Sequence, residues 1–204
     1  MTQTQLICVV DDDESVRGSL RALLESGGLA VLDFVSARQF LAATALERCE
    51  CLVVDIRMPE MNGLELQEEL IRRGHGFPVV VITGHGDVPL AVRAMKAGAL
   101  DFIEKPFDAD TMLASVRRAL ETGRTRRDEE AEARAAKDLL ALLTPRERHV
   151  LEQLVAGRSN KVAAYELGIS PRTIEIHRAR IMEKMKVRSL SEVVRIALTA
   201  TRLA

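Results

Sequence analysis

The 204-residue sequence predicts a doubly wound α/β fold, a five-stranded parallel sheet, followed by a small all-α domain of four short helices. Three observations carry that prediction. Apolar runs rich in Val and Ile alternate with helical stretches over the first 122 residues. The alternation then stops, and only capped helical segments follow. The charge also changes sign along the chain: residues 1–122 hold 12 Lys or Arg against 19 Asp or Glu, residues 123–143 hold five of each, and residues 144–204 hold 12 against 6. We therefore expect two domains, 1–122 and 144–204, joined by a helical linker at 123–143, with a polyanion as the partner of the basic tail.

The strands are expected at 6–10, 29–34, 51–55, 78–83 and 100–104, and the helices at 14–26, 37–47, 63–73, 88–97 and 109–121. Glycines at 27, 28, 74, 98 and 123 sit just past those helices, where a chain leaves the right-handed conformation. Runs such as "PVVVIT" are apolar without alternation, as strands covered on both faces should be. In such sheets ligands bind at the carboxyl ends of the strands, near the point where strand order reverses.

The residues predicted at those ends are polar. Strand one ends in Asp11 and Asp12, strand three in Asp55, strand four in Thr83, and strand five is followed by Lys105 and Pro106. An aspartate after a strand is by itself usually a cap or a turn former. Polar residues at four separate strand ends argue instead for a site, because clustered carboxylates repel unless a cation neutralises them. Hard oxygen donors of this kind suit Mg²⁺. Asp13 and Glu14 are expected to face solvent or to cap the first helix, where negative charge is favoured.

The stretches "VVDDDESVR", "VVDIRMPEMNG" and "VVVITGHGDVPLAVRAMKAGALDFIEKPF" make residues 1–122 resemble a two-component receiver domain of the FixJ-type subgroup, with the flavodoxin-like fold of that family. The resemblance implies that Asp55 accepts a phosphoryl group from a sensor histidine kinase. It implies that Asp11, Asp12, Asp55 and the backbone carbonyl of Arg57 hold Mg²⁺, that Lys105 pairs with the phosphoryl oxygens, and that the Lys105–Pro106 peptide bond is cis. Thr83 and Phe102 match the family's switch pair. Phe102 stands where many receivers carry tyrosine, which rules out a switch that needs a phenolic hydroxyl. Thr83 would donate to a new phosphoryl oxygen and draw the "GHGDVP" loop inward, past a Gly84 with no side chain to obstruct the approach.

Residues 123–143 lack proline and are rich in helix formers, so a continuous helix is expected there. Ala131, Ala135, Leu139 and Leu142 fall near the heptad spacing of a short coiled coil, but polar Arg124 and Arg127 occupy the earlier positions, so a solvated spacer helix is the expected form. Four helices should follow. Thr144-Pro145 with Glu147 form a capping box, Ser159 starts the second helix, Ser170-Pro171 the third, and Ser189 with Glu192 the fourth. The short turn from Gly168 to Ser170 gives a helix-turn-helix layout. On the third helix Ile174, His177, Ile181 and Met185 share one face, which suits burial. Arg172, Thr173, Glu175, Ile176 and Ala179 are then available to base edges, while Lys161, Arg172, Arg178 and Arg180 suit phosphates. "LTPRERHVLEQLVAGRSNKVAAYELGISPRTIEIHRARIMEKMKVRSLSEVV" resembles a LuxR-type DNA-binding domain.

Together these features point to a cytoplasmic, phosphorylation-activated transcription regulator and not an enzyme. Its expected partners are an operator in double-stranded DNA, a sensor histidine kinase, a second copy of itself when phosphorylated, and RNA polymerase. No membrane partner is expected, because no apolar run reaches the roughly 20 residues of a span. An enzyme of the haloacid-dehalogenase class is the rival reading, since Asp11-x-Asp13 fits its nucleophile pattern. That class needs a later acidic pair, whereas here Asp55 stands alone. The absence of Trp and the 3% aromatic content argue against stacking platforms for single-stranded nucleic acid.

Overall fold

The five strands are β1 (Leu6–Val10), β2 (Ala30–Phe34), β3 (Cys51–Asp55), β4 (Val79–Thr83) and β5 (Asp101–Glu104). They pair in parallel in the order β2-β1-β3-β4-β5, so the strand order reverses between β1 and β3. The computed structural model describes residues 5–84 and 88–201 and divides into two compact units, Met1–Thr125 and Arg126–Ala204.

Alternate residues of the central strands serve opposite faces of the sheet. Ile7, Val9, Cys51, Val53, Val80 and Ile82 pack with Leu20 and Leu24 of α1 (Glu14–Ser26) and with Met112 and Val116 of α5 (Ala109–Ala141). Cys8, Val10, Leu52, Val54, Val79 and Val81 pack with Phe40 of α2 (Ala37–Ala42), Leu66 and Leu70 of α3 (Gly63–Arg72), and Ala94 of α4 (Val88–Lys96). Burial on both faces explains the unbroken apolar runs in the sequence. It also leaves the strand ends as the place where polar side chains gather.

Two helices differ from expectation. The segment expected as one helix over 37–47 breaks at Ala43, which is extended (φ −82°, ψ 141°), and continues as a 3-10 turn over Thr44–Arg48. Phe40 and Leu46 both belong to one core cluster. On an unbroken helix they would stand about 120° apart, and the break removes that mismatch. The helix expected to stop near Gly123 does not stop. α5 runs for 33 residues through the stretch read as a separate linker helix. A glycine inside a helix costs about 1 kcal/mol relative to alanine, so its presence there needs a cause. A Cβ at Gly123 would lie 2.9 Å from Cδ of Pro78, so the missing side chain lets α5 pass close to the proline that precedes β4.

Within 126–143 the near-heptad positions Ala131, Ala135 and Leu142 are exposed, whereas Ala133 and Ala136 are buried. Four helices complete the second unit: α6 (Pro145–Val155), α7 (Asn160–Leu167), α8 (Pro171–Lys184) and α9 (Leu190–Thr201). Their caps are the expected ones. Thr144 and Glu147 form the capping box, Ser159 accepts from the Val162 amide, Ser170 from Thr173, and Ser189 from Glu192. Gly168 ends α7 in the left-handed region at φ 64°, where glycine is favoured. Val150 and Leu154, Ala163 and Ala164, Ile174 and Ile181, and Val193 form the shared core.

Glu147 is buried and also accepts from the Lys184 ammonium at 2.7 Å, tying α6 to the end of α8. Burial alone would raise its pKa. The Lys184 hydrogen bond and the two Thr144 contacts outweigh burial and bring the pKa from 4.5 down to about 2. Its folded-state pKa is depressed, so its stabilising contribution is complete above pH 4.5 and is lost as the pH falls toward 2. Urea melts of the full chain should therefore weaken across that window. Glu147→Gln should be less stable than wild type at pH 7 and should lose less stability on acidification.

Candidate functional site

β1 and β3 are neighbours at the point where strand order reverses, and each ends in a buried aspartate, Asp11 and Asp55. Lys105 follows β5 and reaches both. Its Nζ donates to Asp11 Oδ2 and to Asp55 Oδ1, each at 2.7 Å. The other carboxylate oxygens are held by main chain: Asp11 Oδ1 accepts from the Asp13 amide at 2.8 Å, and Asp55 Oδ2 from the Arg57 amide at 2.5 Å. The Lys105 amide donates to the Thr83 carbonyl at 2.7 Å, and the Lys105–Pro106 peptide is cis. Thr83 is fully buried at the end of β4. Three strand ends and the turn after β5 thus meet around two carboxylates and one ammonium.

The electrostatics match that geometry. Burial pushes the Asp55 carboxyl above its ordinary pKa, the Asp11 charge adds to the rise, and Lys105 opposes it without cancelling it. Burial also lowers the Lys105 pKa, but the hydrogen bonds it donates to Asp11 and Asp55 overcome it and the net shift is upward. Asp13 lies outside this group. It caps α1, accepting from the Ser15 hydroxyl and the amides of Ser15 and Val16, which hold its pKa below the usual range. Asp12 is exposed.

Asp11 and Asp55 each turn one oxygen toward the same cationic group, so hard donors already converge where a small cation would be stabilised. Among the described residues no three His, Cys, Asp or Glu side chains are gathered as a ready metal cluster. Phe102 is half-buried against the core that lines the α2–α3–α4 side of the sheet. Of the "GHGDVP" loop, residues 85–87 lie outside the described residues. A Cβ on Gly84 would meet no protein atom within 4 Å.

In the second unit α8 presents two distinct faces. Ile174, Ile181 and Met185 are buried, and His177 is half-buried with its Nδ1 enclosed and without a hydrogen-bond partner among the described residues. Arg172, Glu175, Ile176, Ala179 and Arg180 are exposed, as is Lys161 on the first turn of α7. Thr173 is half-buried, and its hydroxyl lies 2.8 Å from that of Ser170. Arg178 donates to Asn160 Oδ1 at 2.7 Å and so braces α8 against α7. Sequence reasoning missed that brace. It also missed Arg17, a buried arginine whose Nη1 donates to the Asp11 carbonyl at 2.8 Å.

Comparison with known proteins accounts for both units. A family model described as the response regulator receiver domain matches residues 7–117, and one described as bacterial regulatory proteins, luxR family, matches residues 141–197. The transcriptional regulatory protein FixJ of Azorhizobium caulinodans is 53% identical over 202 residues, spanning 98% of this chain and 95% of that protein. FixJ of Rhizobium meliloti is 48% identical over 190 residues, spanning 93% of each. Among solved structures, the response regulator StyR is 43% identical with a TM-score of 0.82, over 96% of this chain and 99% of that one. Full-length FixJ from B. japonicum is 46% identical with a TM-score of 0.60, over the whole of both chains.

Proposed function

The chain belongs to the response regulators that join a receiver domain to a luxR-family DNA-binding domain, and we propose that Asp55 is the switch through which a sensor histidine kinase controls its binding to DNA. The observation that carries this reading is the double bridge from Lys105 to Asp11 and Asp55 at the β1/β3 crevice. The family is one of transcription regulators. A single phosphorylation event, without turnover of phosphate esters, is the activity proposed for this member.

Asp55 attacks phosphorus in line, and the bond to the donor breaks as the new acyl phosphate forms. Mg²⁺ held by Asp11, Asp12, Asp55 and the Arg57 carbonyl would neutralise the facing anions. Lys105 already lies 2.7 Å from the acceptor oxygen and can follow the charge onto the phosphoryl oxygens. The product adds about −1.5 to −2 charge. The Thr83 hydroxyl, at the neighbouring strand end, is proposed to donate to one of its oxygens and Phe102 to repack behind it.

Repacking there reaches α4 and β5, where Val88, Val92 and Met95 are exposed apolar side chains. We propose that phosphorylated copies pair through this face, from about Val92 to Phe102. A dimer presents two α8 helices to half-sites about one duplex turn apart. Thr173, Glu175, Ile176 and Ala179 would face bases, and Lys161, Arg172 and Arg180 would meet phosphates, with Arg178 committed to Asn160 as a brace between α8 and α7. RNA polymerase is the further partner such a regulator needs to act on transcription, and the cytoplasm is the compartment proposed. Among the described residues no helix is long and apolar enough to cross a membrane.

Gel shifts and sedimentation with and without acetyl phosphate test the coupling. The phosphorylated protein should dimerise and bind its operator more tightly. Unchanged mass and affinity would favour release of an inhibitory contact instead. Lys161→Ala should weaken binding to every sequence and lower the salt slope by about one. Glu175→Ala should relax preference at one base position, at a cost of about 1–3 kcal/mol on the preferred operator.

A further inference from the structure

Arg17 lies on the apolar stripe of α1 with Leu20 and Leu24, and all three are buried. Taking a guanidinium out of water costs several kcal/mol unless it is paired and hydrogen-bonded. A charge at such a position calls for a partner that an apolar side chain could not serve. One partner is Asp33 on β2, whose Oδ2 lies 3.5 Å from Arg17 Nε, and whose Oδ1 is held by Arg21 at 2.6 Å. That ion pair is not aligned as a hydrogen bond, and among the described residues Nε has no hydrogen-bond partner. The well-formed contact is the other one, from Nη1 to the Asp11 carbonyl at 2.8 Å.

Asp11 is held on several sides. Its amide donates to the Phe34 carbonyl at 3.2 Å, its carbonyl accepts from Arg17, and its Oδ1 accepts from the Asp13 amide. Its Oδ2 is the oxygen turned toward Lys105. We propose that Arg17, anchored by Asp33, is a positioning residue that fixes the Asp11 main chain and so aims its carboxylate at the cation of the acidic pocket. The inference rests on the reading of that pocket as a Mg²⁺ site.

Coulomb attraction and positioning make opposite predictions. Removing a nearby positive charge should tighten cation binding, whereas releasing the Asp11 main chain should weaken it. Mn²⁺ is a suitable probe, since the free ion can be counted by its EPR signal in the full-length, unphosphorylated protein. Arg17→Met keeps the apolar stem and removes the donors. It should weaken Mn²⁺ binding about tenfold, the usual scale for groups that orient a ligand from behind. Asp33→Asn should weaken it less. Arg17→Lys keeps the charge but cannot span both partners, and should fall between wild type and Arg17→Met.

Thermal melts separate this role from a purely structural one. A folded Arg17→Met with a lower melting temperature but unchanged or tighter Mn²⁺ binding overturns the proposal. Should that variant fail to fold, Arg17→Lys decides in the same way. Wild-type protein that takes up no Mn²⁺ overturns the acidic-pocket reading itself, and this inference with it.

Discussion

Asp55→Asn incubated with acetyl phosphate and Mg²⁺ should show no added phosphoryl mass, while the wild-type protein gains one phosphoryl group that is labile in base. The effect should be large, because Asp11 and Asp13 are already committed to other bonds. Asp11, the other buried carboxylate at the β1/β3 crevice, is fixed through its Oδ1 and both main-chain groups. Asp13 is committed as the cap of α1. The asparagine is nearly isosteric, and its one amide oxygen can still accept from either Lys105 or the Arg57 amide, so the fold should survive the loss of the other bond. What it lacks is the anionic oxygen that attacks phosphorus. Intact-mass spectrometry, followed by peptide mapping across β3, reads the result. Full phosphorylation of the variant on the same peptide would end the assignment of Asp55.

The same substitution separates switch from rival enzyme. In a phosphatase of the haloacid-dehalogenase pattern the nucleophile would be Asp11, with Asp13 two residues on. Asp13 is instead spent on the amides of Ser15 and Val16 and on the Ser15 hydroxyl. Lys105 bridges Asp11 to Asp55 and not to Asp13.

Much of the sheet was legible because its signal is local. Strands such as Val79–Thr83 are buried on both faces, and an unbroken apolar run expresses that directly in sequence. The strand-end residues could then be placed by the topology rule for such sheets, which brought Asp11, Asp55, Thr83 and Lys105 toward one crevice. Features that depend on a distant atom were not legible. Glycine marks both a helix stop and a close approach, and only Pro78, remote in sequence, shows that Gly123 is the second kind. Arg178 reads as a phosphate contact until Asn160 is found within 2.7 Å of it. Arg17 carried a readable signal, a charge at the i, i+3, i+7 positions of a buried stripe, but its partner carbonyl is a main-chain atom with no mark in the sequence.

Replacing Gly63 should be costly. It opens α3 just after Asn62, which forms a capping box with Glu65, and its amide donates to the Ile56 carbonyl at 3.0 Å. A Cβ there would run into the Asp55 carbonyl oxygen and lie 3.1 Å from both Asp55 carbonyl carbon and Ile56 Cα. All three atoms are backbone at the end of β3, a strand paired on both sides, and none can swing aside as a side chain would. In an unobstructed helix, exchanging glycine for alanine should stabilise by about 0.5–1 kcal/mol. The sign of the change is therefore the test. Gly63→Ala is expected to destabilise by about 1–3 kcal/mol, as overpacking does, and to slow phosphorylation by displacing Asp55 from Lys105. Gly18→Ala is the control, because Gly18 lies on an exposed face of α1 and a Cβ there meets nothing within 4 Å. It should stabilise the protein and leave the phosphorylation rate unchanged. Paired urea melts and acetyl-phosphate time courses give both readings. If Gly63→Ala proved as stable and as quickly phosphorylated as Gly18→Ala, close packing of α3 on the Asp55 main chain would not be what holds the acceptor in place.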